Sequence, residues 1–168
     1  MIDSVRVNVE LRTWDASDAA WYAEATKDPE VQRYTTESPD LTEEQVAAAI
    51  AALPGNQGTD SFIVVDGDTG ERYGNVAVDF IDGVGHMSYL MAPRARGRGV
   101  AGTALTQFVA WIFANRAVRE LRLWTHSDNV PSRKVAERAG FVRDAAQDKD
   151  REIKGAVWRT VAYRLVRD

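Results

Sequence analysis

The segment Ala92-Pro-Arg-Ala-Arg-Gly-Arg-Gly-Val-Ala-Gly102 decides how this 168-residue chain is interpreted. A strand pattern over residues 84–91 leads into it, Pro93 breaks that strand, and a helical pattern begins directly after Gly99. The first N–H groups of a helix have no partners within it, and the macrodipole makes that end positive. Such an end binds phosphate groups, and glycines let the backbone approach them closely. The segment therefore predicts an anion site at a strand-to-helix junction.

Charge supports the same interpretation. Arg94, Arg96 and Arg98 lie within five residues, although the chain has a net charge of −4. Guanidinium groups attract pyrophosphate through charge-assisted hydrogen bonds, whereas isolated exposed arginines are usually only solvated. The acidic balance of the whole chain argues against nucleic acid as the main partner and is compatible with a cationic acceptor such as an amine.

Periodicity predicts an α/β chain with a mixed sheet, because hairpins join the early strands and helices separate the later ones. Thr42 and Gln45 form a capping box, and Gly140 should end the last helix. The turn at 66–70 is interpreted as a hairpin with glycines at positive φ rather than an acidic metal loop. Strands are predicted at 5–14, 62–65, 72–80, 84–91, 121–125, 141–146 and 157–166, and helices at 15–26, 43–53, 100–116 and from 131.

Composition excludes several classes of protein. The chain has no cysteine, so a disulfide framework and a thiol nucleophile are both excluded. Its start has no basic region followed by an apolar core, and the apolar run 108–114 is far shorter than the roughly 20 residues of a membrane helix. We therefore expect a soluble, cytoplasmic protein without a membrane partner. No interface pattern is evident, and a homodimer is left open.

Two known phosphate-binding motifs are alternative interpretations of the segment 92–102. A P-loop would need Gly-Lys-Ser/Thr, which does not follow. A dinucleotide fingerprint, GxGxxG, is present as Gly97, Gly99 and Gly102. However, it lies in the middle of the chain after hairpin-linked strands, and the next strand ends in Thr125-His126-Ser127 without the acid that would bind a ribose. Dinucleotide binding is therefore kept only as a hypothesis that ranks below the two described next.

A third motif fits best. Arg94-x-x-Gly97-x-Gly99 resembles the (Gln/Arg)-x-x-Gly-x-(Gly/Ala) signature of the GNAT acetyltransferases. Downstream, Asn129-Val-Pro-Ser132 and Glu137-Arg-Ala-Gly-Phe141 resemble the RimJ/RimL-type branch of that family, with its Asn-x-x-Ser and terminal Gly-Phe. The opening of that branch is also similar to residues Leu11, Arg12, Asp15 and Asp18.

The resemblance implies a GNAT-like single domain over residues 1–168, with a mixed, mainly antiparallel sheet of six or seven strands and about four helices. In the family the strand before the signature splays from its neighbour, and acetyl-coenzyme A lies in the resulting cleft. The implied reaction is direct transfer of the acetyl group to a primary amine, without a metal or a covalent enzyme intermediate. The acceptor would be a protein N-terminus or a small-molecule amine. A non-catalytic acyl-coenzyme A binding or sensor module is the alternative.

The resemblance also implies where the ligands lie. The pantetheine arm would contact Asn129 and the backbone of Tyr89, Leu90 and Met91. The acceptor would lie near early aromatic residues, for which core packing is the alternative: Trp21, Tyr22 and Tyr34. The pyrophosphate would lie on the turn and helix start, where Arg94 adds charge, along the amides of Arg96, Gly97, Arg98, Gly99, Val100 and Ala101.

Ser132 is the predicted catalytic residue. On a helix it shares a face with apolar side chains at 135, 136 and 139, so it should point inward. The family implies a hydroxyl near the cofactor sulfur, and a serine that caps its own helix is the alternative. One departure is Arg159, because relatives often carry an aspartate there, four residues before a tyrosine. The acid–base candidates are less defined and comprise Glu37, Asp79, Asp82, Glu152, His86 and His126.

Overall fold

The computed structural model describes residues 7–168, which form eight strands and five helices. This confirms the mixed, mainly antiparallel α/β architecture, with slightly more strands and helices than expected. The strands are β1 Val9–Arg12, β2 Thr59–Asp66, β3 Arg72–Ile81, β4 Val84–Met91, β5 Glu120–His126, β6 Val142–Arg143, β7 Lys149–Ile153 and β8 Ala156–Val166. The helices are α1 Asp18–Ala25, α2 Pro29–Tyr34, α3 Glu43–Ala52, α4 Val100–Asn115 and α5 Val130–Arg138.

The sheet separates near its centre. Its strand order is β1-β2-β3-β4-β5-β8-β6, with β7 also paired to β8. Among the strands of residues 7–168 the one parallel pair is β4 with β5, and it is formed only where Val84–His86 meet Glu120–Arg122. Beyond it, β4 stays paired with β3 as far as Met91, and β5 stays paired with β8 as far as His126. The two strands therefore diverge, and we call the opening between their C-terminal halves the gap.

The two faces of the sheet carry separate cores. Met87 on β4 packs with Val76 and Val78 against α4, whose buried stripe includes Phe108 and Ile112. Successive strand residues point to opposite faces, so Leu90 points the other way and packs with α1, α2 and α3 through Tyr22, Val31 and Val46. The gap thus connects two faces that are covered by different helices.

Most predicted elements near the gap are confirmed, since their local signals are strong. β4 has the predicted bounds, and Thr42 and Gln45 form the capping box. Gly140 follows α5 with φ +95°. The hairpin between β2 and β3 is also present, with Gly70 at φ +74°. None of the helices in residues 7–168 is long and apolar enough to cross a membrane.

The N-terminal predictions need correction. The first strand was predicted over 5–14 but spans only Val9–Arg12, and residues 5 and 6 lie outside the described part. Asp15 does not cap α1, because its carboxylate accepts hydrogen bonds from Ser17 and the helix begins at Asp18. A second helix, α2, was missed although Asp28 caps it and Pro29 occupies its first turn.

The C-terminal predictions are wrong in two places. The strand predicted over 141–146 shrinks to Val142–Arg143, since the chain turns into a short 3₁₀ helix at Ala145–Gln147. The strand Lys149–Ile153 was missed because it is polar and lies at the sheet edge, without the apolar alternation that marks a half-buried strand. It joins β8 through a tight turn in which Lys154 and Gly155 both have positive φ.

A buried ion cluster fixes α1 to the sheet. The fully buried carboxylate of Asp18 accepts hydrogen bonds from Arg12 Nη1 and Nη2 at 2.9 Å and from Arg72 Nε at 2.7 Å. The amide of Asp15 donates a further bond at 2.9 Å. Burial alone would raise the pKa of Asp18, but these bonds outweigh it and lower the pKa to about 2.

We expect Asp18→Asn to lower the free energy of unfolding by about 3 kcal/mol at pH 7, because two arginines lose their shared carboxylate. A carboxylate with a lowered pKa stabilises the folded state above its unfolded pKa, and that contribution is lost as pH falls through the folded pKa. The difference from wild type should therefore narrow between about pH 4 and pH 2. Urea denaturation measures both effects. Asp15→Asn is the exposed control, and equal stability of the two variants would contradict the account.

Candidate active site

A cleft of about 1410 Å³ passes through the gap. Its floor and walls come from the C-terminal halves of β4 and β5, the segment from α2 to Glu37, and the first turns of α4 and α5. Twelve of the fifteen site residues predicted from the sequence line it: Tyr22, Tyr34, Tyr89, Leu90, Met91, Arg96, Gly97, Gly99, Val100, Ala101, Asn129 and Ser132.

The glycine turn, residues 93–102, leads from β4 into α4 at one end of the cleft. Gly97 and Gly99 have φ of +71° and +73°, a conformation that side chains with a Cβ rarely adopt. Gly99 occupies the N-cap position of α4 without a side-chain hydrogen bond. The amide of Arg96, which was predicted to bind pyrophosphate, instead donates to Pro93 O at 3.2 Å. Within residues 7–168 the amides of 97–102 donate to no acceptor, and the next amide, of Thr103, donates to the Gly99 carbonyl. A row of free donors at a helix N-terminus therefore borders the cleft.

Gly102 points to a ligand in a different way. Its φ is not positive, and a Cβ built on it would meet no atom within 4 Å outside the adjacent residues and the backbone of its own helix, among residues 7–168. Glycine in a helix costs stability relative to alanine, so neither backbone conformation nor packing explains it. Since Gly102 lines the cleft, space left for a bound molecule is the physical explanation that fits.

The three arginines of the glycine turn are engaged within the protein. Arg94 binds Glu71 at 2.9 Å, and Arg98 lies over the ring of Tyr73, 5.3 Å from its centroid. Neither of these two predicted cofactor contacts lines the cleft. Arg96 does line it, and its guanidinium pairs with the α2 carboxylates of Asp28 at 2.5 Å and Glu30 at 3.0 Å.

The backbone of β4 exposes alternate residues to the gap. Ala92 N donates to Tyr73 O at 2.7 Å, which identifies the hydrogen-bonded pairs of the β3–β4 ladder. Such pairs recur at every second residue, so the N–H and C=O of Leu90 face β3, whereas those of Tyr89 and Met91 face the gap. Met91 O receives only a 3.5 Å contact from Arg96. Of the three predicted backbone contacts, only two therefore face a ligand in the gap.

Asn129 and Ser132 lie at the start of α5, directly across the gap from β4. Asn129 is the N-cap, and its Oδ1 accepts a hydrogen bond from Ser132 N at 3.3 Å, which leaves its Nδ2 as a donor. Ser132 therefore does not cap its own helix. Its hydroxyl instead lies 2.6 Å from the hydroxyl of Tyr89, whose pKa is raised by burial to about 12.

The face of the sheet that α1, α2 and α3 cover contributes carboxylates to the cleft. Tyr22 donates to Glu37 Oε1 at 3.0 Å, and burial followed by the Glu37 charge raises the pKa of that tyrosine. Asp79 and His86 are cross-strand neighbours that also line the cleft. Asn75 lies on the same strand face, and its buried Oδ1 has no partner among the described residues. This face therefore offers polar and anionic groups to a ligand.

Several candidates lie elsewhere. Trp21 packs in the core of the α1–α3 face and does not line the cleft. Asp82 lies in the turn between β3 and β4 with φ +51°, and Glu152 lies on the edge strand β7. His126 packs between Tyr34 and Trp158, with ring centroids 5.5 Å and 5.2 Å away. The guanidinium of Arg159 pairs with Asp150 at 3.5 Å on β7, outside the cleft lining.

Other residues that line the cleft were not predicted from the sequence. Lys134 and Arg138 on α5 add positive charge to the cleft, and their i, i+4 spacing on a helix beside an anion site could have revealed them. Asn75 and Trp124 enter through strand pairing, for which no local pattern exists. Within residues 7–168 no group of three or more histidine, cysteine or acidic side chains could hold a metal ion.

Solved structures share this fold at low sequence identity. A spermidine N-acetyltransferase from Vibrio cholerae, in complex with CoA and spermine, has a TM-score of 0.83 and 17% identity, with 95% of each chain covered. A ribosomal-protein-S5-alanine acetyltransferase from Vibrio fischeri has a TM-score of 0.84 and 20% identity over 96% of this chain and 94% of that one. RimL, a ribosomal L7/L12 alpha-N-protein acetyltransferase in complex with coenzyme A, has a TM-score of 0.79 and 16% identity, covering 95% and 94%.

The family itself follows from the sequence. No curated protein matches the chain significantly. A family model of the acetyltransferase (GNAT) domain matches residues 8–142, which include the glycine turn, both strands of the gap and α5. The chain therefore belongs to the GNAT family of acetyltransferases.

Proposed function

We propose that this protein transfers the acetyl group of acetyl-coenzyme A to a primary amine, which is either a protein N-terminus or a small molecule. The observation that supports this best is the row of free amides at 97–102 beside the unpaired edge of β4. The amides match a pyrophosphate, and the edge matches an extended chain of alternating amides. A cytoplasmic location and a homodimer stay predictions from the sequence.

The binding mode follows from the free donors and acceptors. The pyrophosphate lies on the amides of 97–102, with Lys134 and Arg138 adding positive charge. The pantetheine arm pairs with the gap-facing backbone of Tyr89 and Met91 and accepts a hydrogen bond from Asn129 Nδ2. The acceptor enters from the opposite face, where Glu37 and Asp79 favour a cation.

In this reaction the acceptor nitrogen loses two protons and the sulfur that leaves gains one. Acetyl-coenzyme A supplies an acyl group activated as a thioester. Glu37, held by Tyr22, takes the proton that the ammonium group must lose before it can attack, directly or through water. Ser132 Oγ donates a hydrogen bond to the sulfur that leaves, or passes its proton to that sulfur and regains one, through water, from the nitrogen as the amide forms. No residue of the chain forms a covalent bond with the acetyl group.

Enzymes of similar structure indicate two classes of acceptor. One related enzyme acetylates spermidine, and others acetylate ribosomal proteins. A screen with spermidine and an alanyl peptide, which follows thiol release from acetyl-coenzyme A, tests both classes. Acceptor-dependent release is expected. Tight binding of acetyl-coenzyme A without acceptor-dependent release would instead favour the alternative, a non-catalytic acyl-coenzyme A binding module.

Coenzyme A should raise the melting temperature, because a ligand that binds only the folded state adds about 2.7 kcal/mol of stability at a hundredfold excess over its Kd. NAD should do much less, since the strand after α4 ends without an acid for the ribose. Differential scanning fluorimetry compares the two ligands. A larger shift with NAD would overturn the acetyltransferase proposal in favour of a dinucleotide site.

Gly102→Ala should have opposite effects on stability and on binding. The methyl group has room in the free protein and should add about 0.5 to 1 kcal/mol through helix propensity. The same methyl would intrude on the pyrophosphate and weaken coenzyme A binding by about tenfold, a loss of roughly 1.4 kcal/mol. Urea denaturation and calorimetry measure the two effects. Gly55→Ala, also sterically free but outside the cleft, is the control, and wild-type affinity of Gly102→Ala would contradict the binding mode.

Ser132→Ala should lower kcat by about 10- to 1,000-fold while acetyl-coenzyme A affinity changes little, because its contact with sulfur strengthens only as charge develops. Stability should fall by only about 1 kcal/mol through the lost bond to Tyr89, since Asn129 still caps α5. Steady-state kinetics and melting temperature on one preparation test both. Ser127→Ala, outside the cleft, serves as the control. Full turnover by Ser132→Ala would remove this residue from the chemistry.

A further inference from the structure

The side chain of Tyr89 spans the gap. It extends from β4, and its hydroxyl lies 2.6 Å from Ser132 Oγ and 3.0 Å from Ser132 O on α5. Ser132 Oγ has no other hydrogen-bond partner within residues 7–168. The orientation of the serine proton therefore depends on how these two hydroxyl groups share their hydrogens.

Two arrangements are available, because each hydroxyl has one proton. In the first, Tyr89 donates to the Ser132 carbonyl and Ser132 donates to Tyr89, so the serine proton points away from the cleft. In the second, Tyr89 donates to Ser132 Oγ, and the serine proton is free to point into the cleft. The 2.6 Å between the two hydroxyl oxygens fits a hydrogen bond in either arrangement. Ser132 O already accepts the helical hydrogen bond of α5, whereas Ser132 Oγ accepts no other bond among the described residues, and this favours the second arrangement.

Tyr89 keeps its proton under working conditions. Burial raises the pKa of this tyrosine to about 12, although the hydrogen bond to Ser132 acts in the opposite direction. The hydroxyl therefore stays a donor at neutral pH. A donor fixed against Ser132 Oγ makes the serine proton more acidic and stabilises negative charge that develops on the oxygen as the proton moves to sulfur.

We propose that Tyr89 is a positioning residue that donates to Ser132 Oγ and so directs the serine proton to the sulfur of the bound thioester. This inference rests on the proposed function and deepens it, because it identifies what orients the group that serves the departing thiolate. Tyr89 does not touch the reacting atoms. Its effect on turnover passes entirely through Ser132.

A double-mutant cycle on kcat tests the inference. Tyr89→Phe keeps the ring and removes only the hydroxyl, and it should lower kcat by about tenfold with unchanged KM for acetyl-coenzyme A. In the Ser132→Ala background, Tyr89→Phe should have no further effect. Tyr163→Phe is a matched control, since its buried hydroxyl contacts Arg133 and Glu137 of α5 but not Ser132. This variant should keep the wild-type kcat.

The outcomes separate the inference from the proposed function. Equal losses of kcat from Tyr89→Phe in both backgrounds, or a wild-type kcat for Tyr89→Phe, would overturn the inference and leave acetyl transfer intact. The same loss for Tyr163→Phe would assign the effect to α5 packing and also overturn it. If the wild-type protein bound acetyl-coenzyme A but released no thiol with spermidine, the alanyl peptide or a wider panel of primary amines, the proposed function would fail, and the inference with it.

Discussion

The fold depends on one break in strand pairing. β4 and β5 are hydrogen-bonded only over Val84–His86 and Glu120–Arg122, after which each strand follows its other neighbour. Buried backbone groups that lose their partners cost free energy unless something else binds them. The gap therefore leaves an edge of β4 without a strand partner along the cleft, and the glycine turn and α5 lie at its two sides. The capacity of the cleft to bind a ligand follows directly from the interrupted pairing of β4 with β5.

The cleft has a different chemistry on each face of the sheet. Free amides and the cations of α5 border one face, whereas Glu37 and Asp79 border the other. Arg96 joins the two, because it links the glycine turn to Asp28 and Glu30 at the start of α2. A ligand that draws Arg96 toward phosphate would therefore also change the contacts of the helix that leads to Glu37.

Short-range sequence patterns made much of the fold around the cleft predictable. β4, the start of α4 and the capping box at Thr42 depend on short-range patterns, and the glycine turn depends on φ values that only glycine adopts easily. The partners of Arg94 and Arg98 were not predictable from the sequence. Arg94 forms an ion pair with Glu71 and Arg98 lies over the ring of Tyr73, and both are tertiary contacts between residues far apart in the chain. The edge strand β7 was missed for a related reason. Its sequence is polar and has no alternation of its own, and pairing with β8 stabilises it.

The central claim is that the open edge of β4 holds the pantetheine arm, and amide hydrogen exchange followed by NMR tests it most directly. Addition of coenzyme A should slow exchange at Tyr89 and Met91, whose amides face the gap, together with the amides of 97–102. Leu90 is the internal control, because its amide already bonds to β3 and should change little. Coenzyme A binding that left Tyr89 and Met91 unprotected would contradict the claim and require another site.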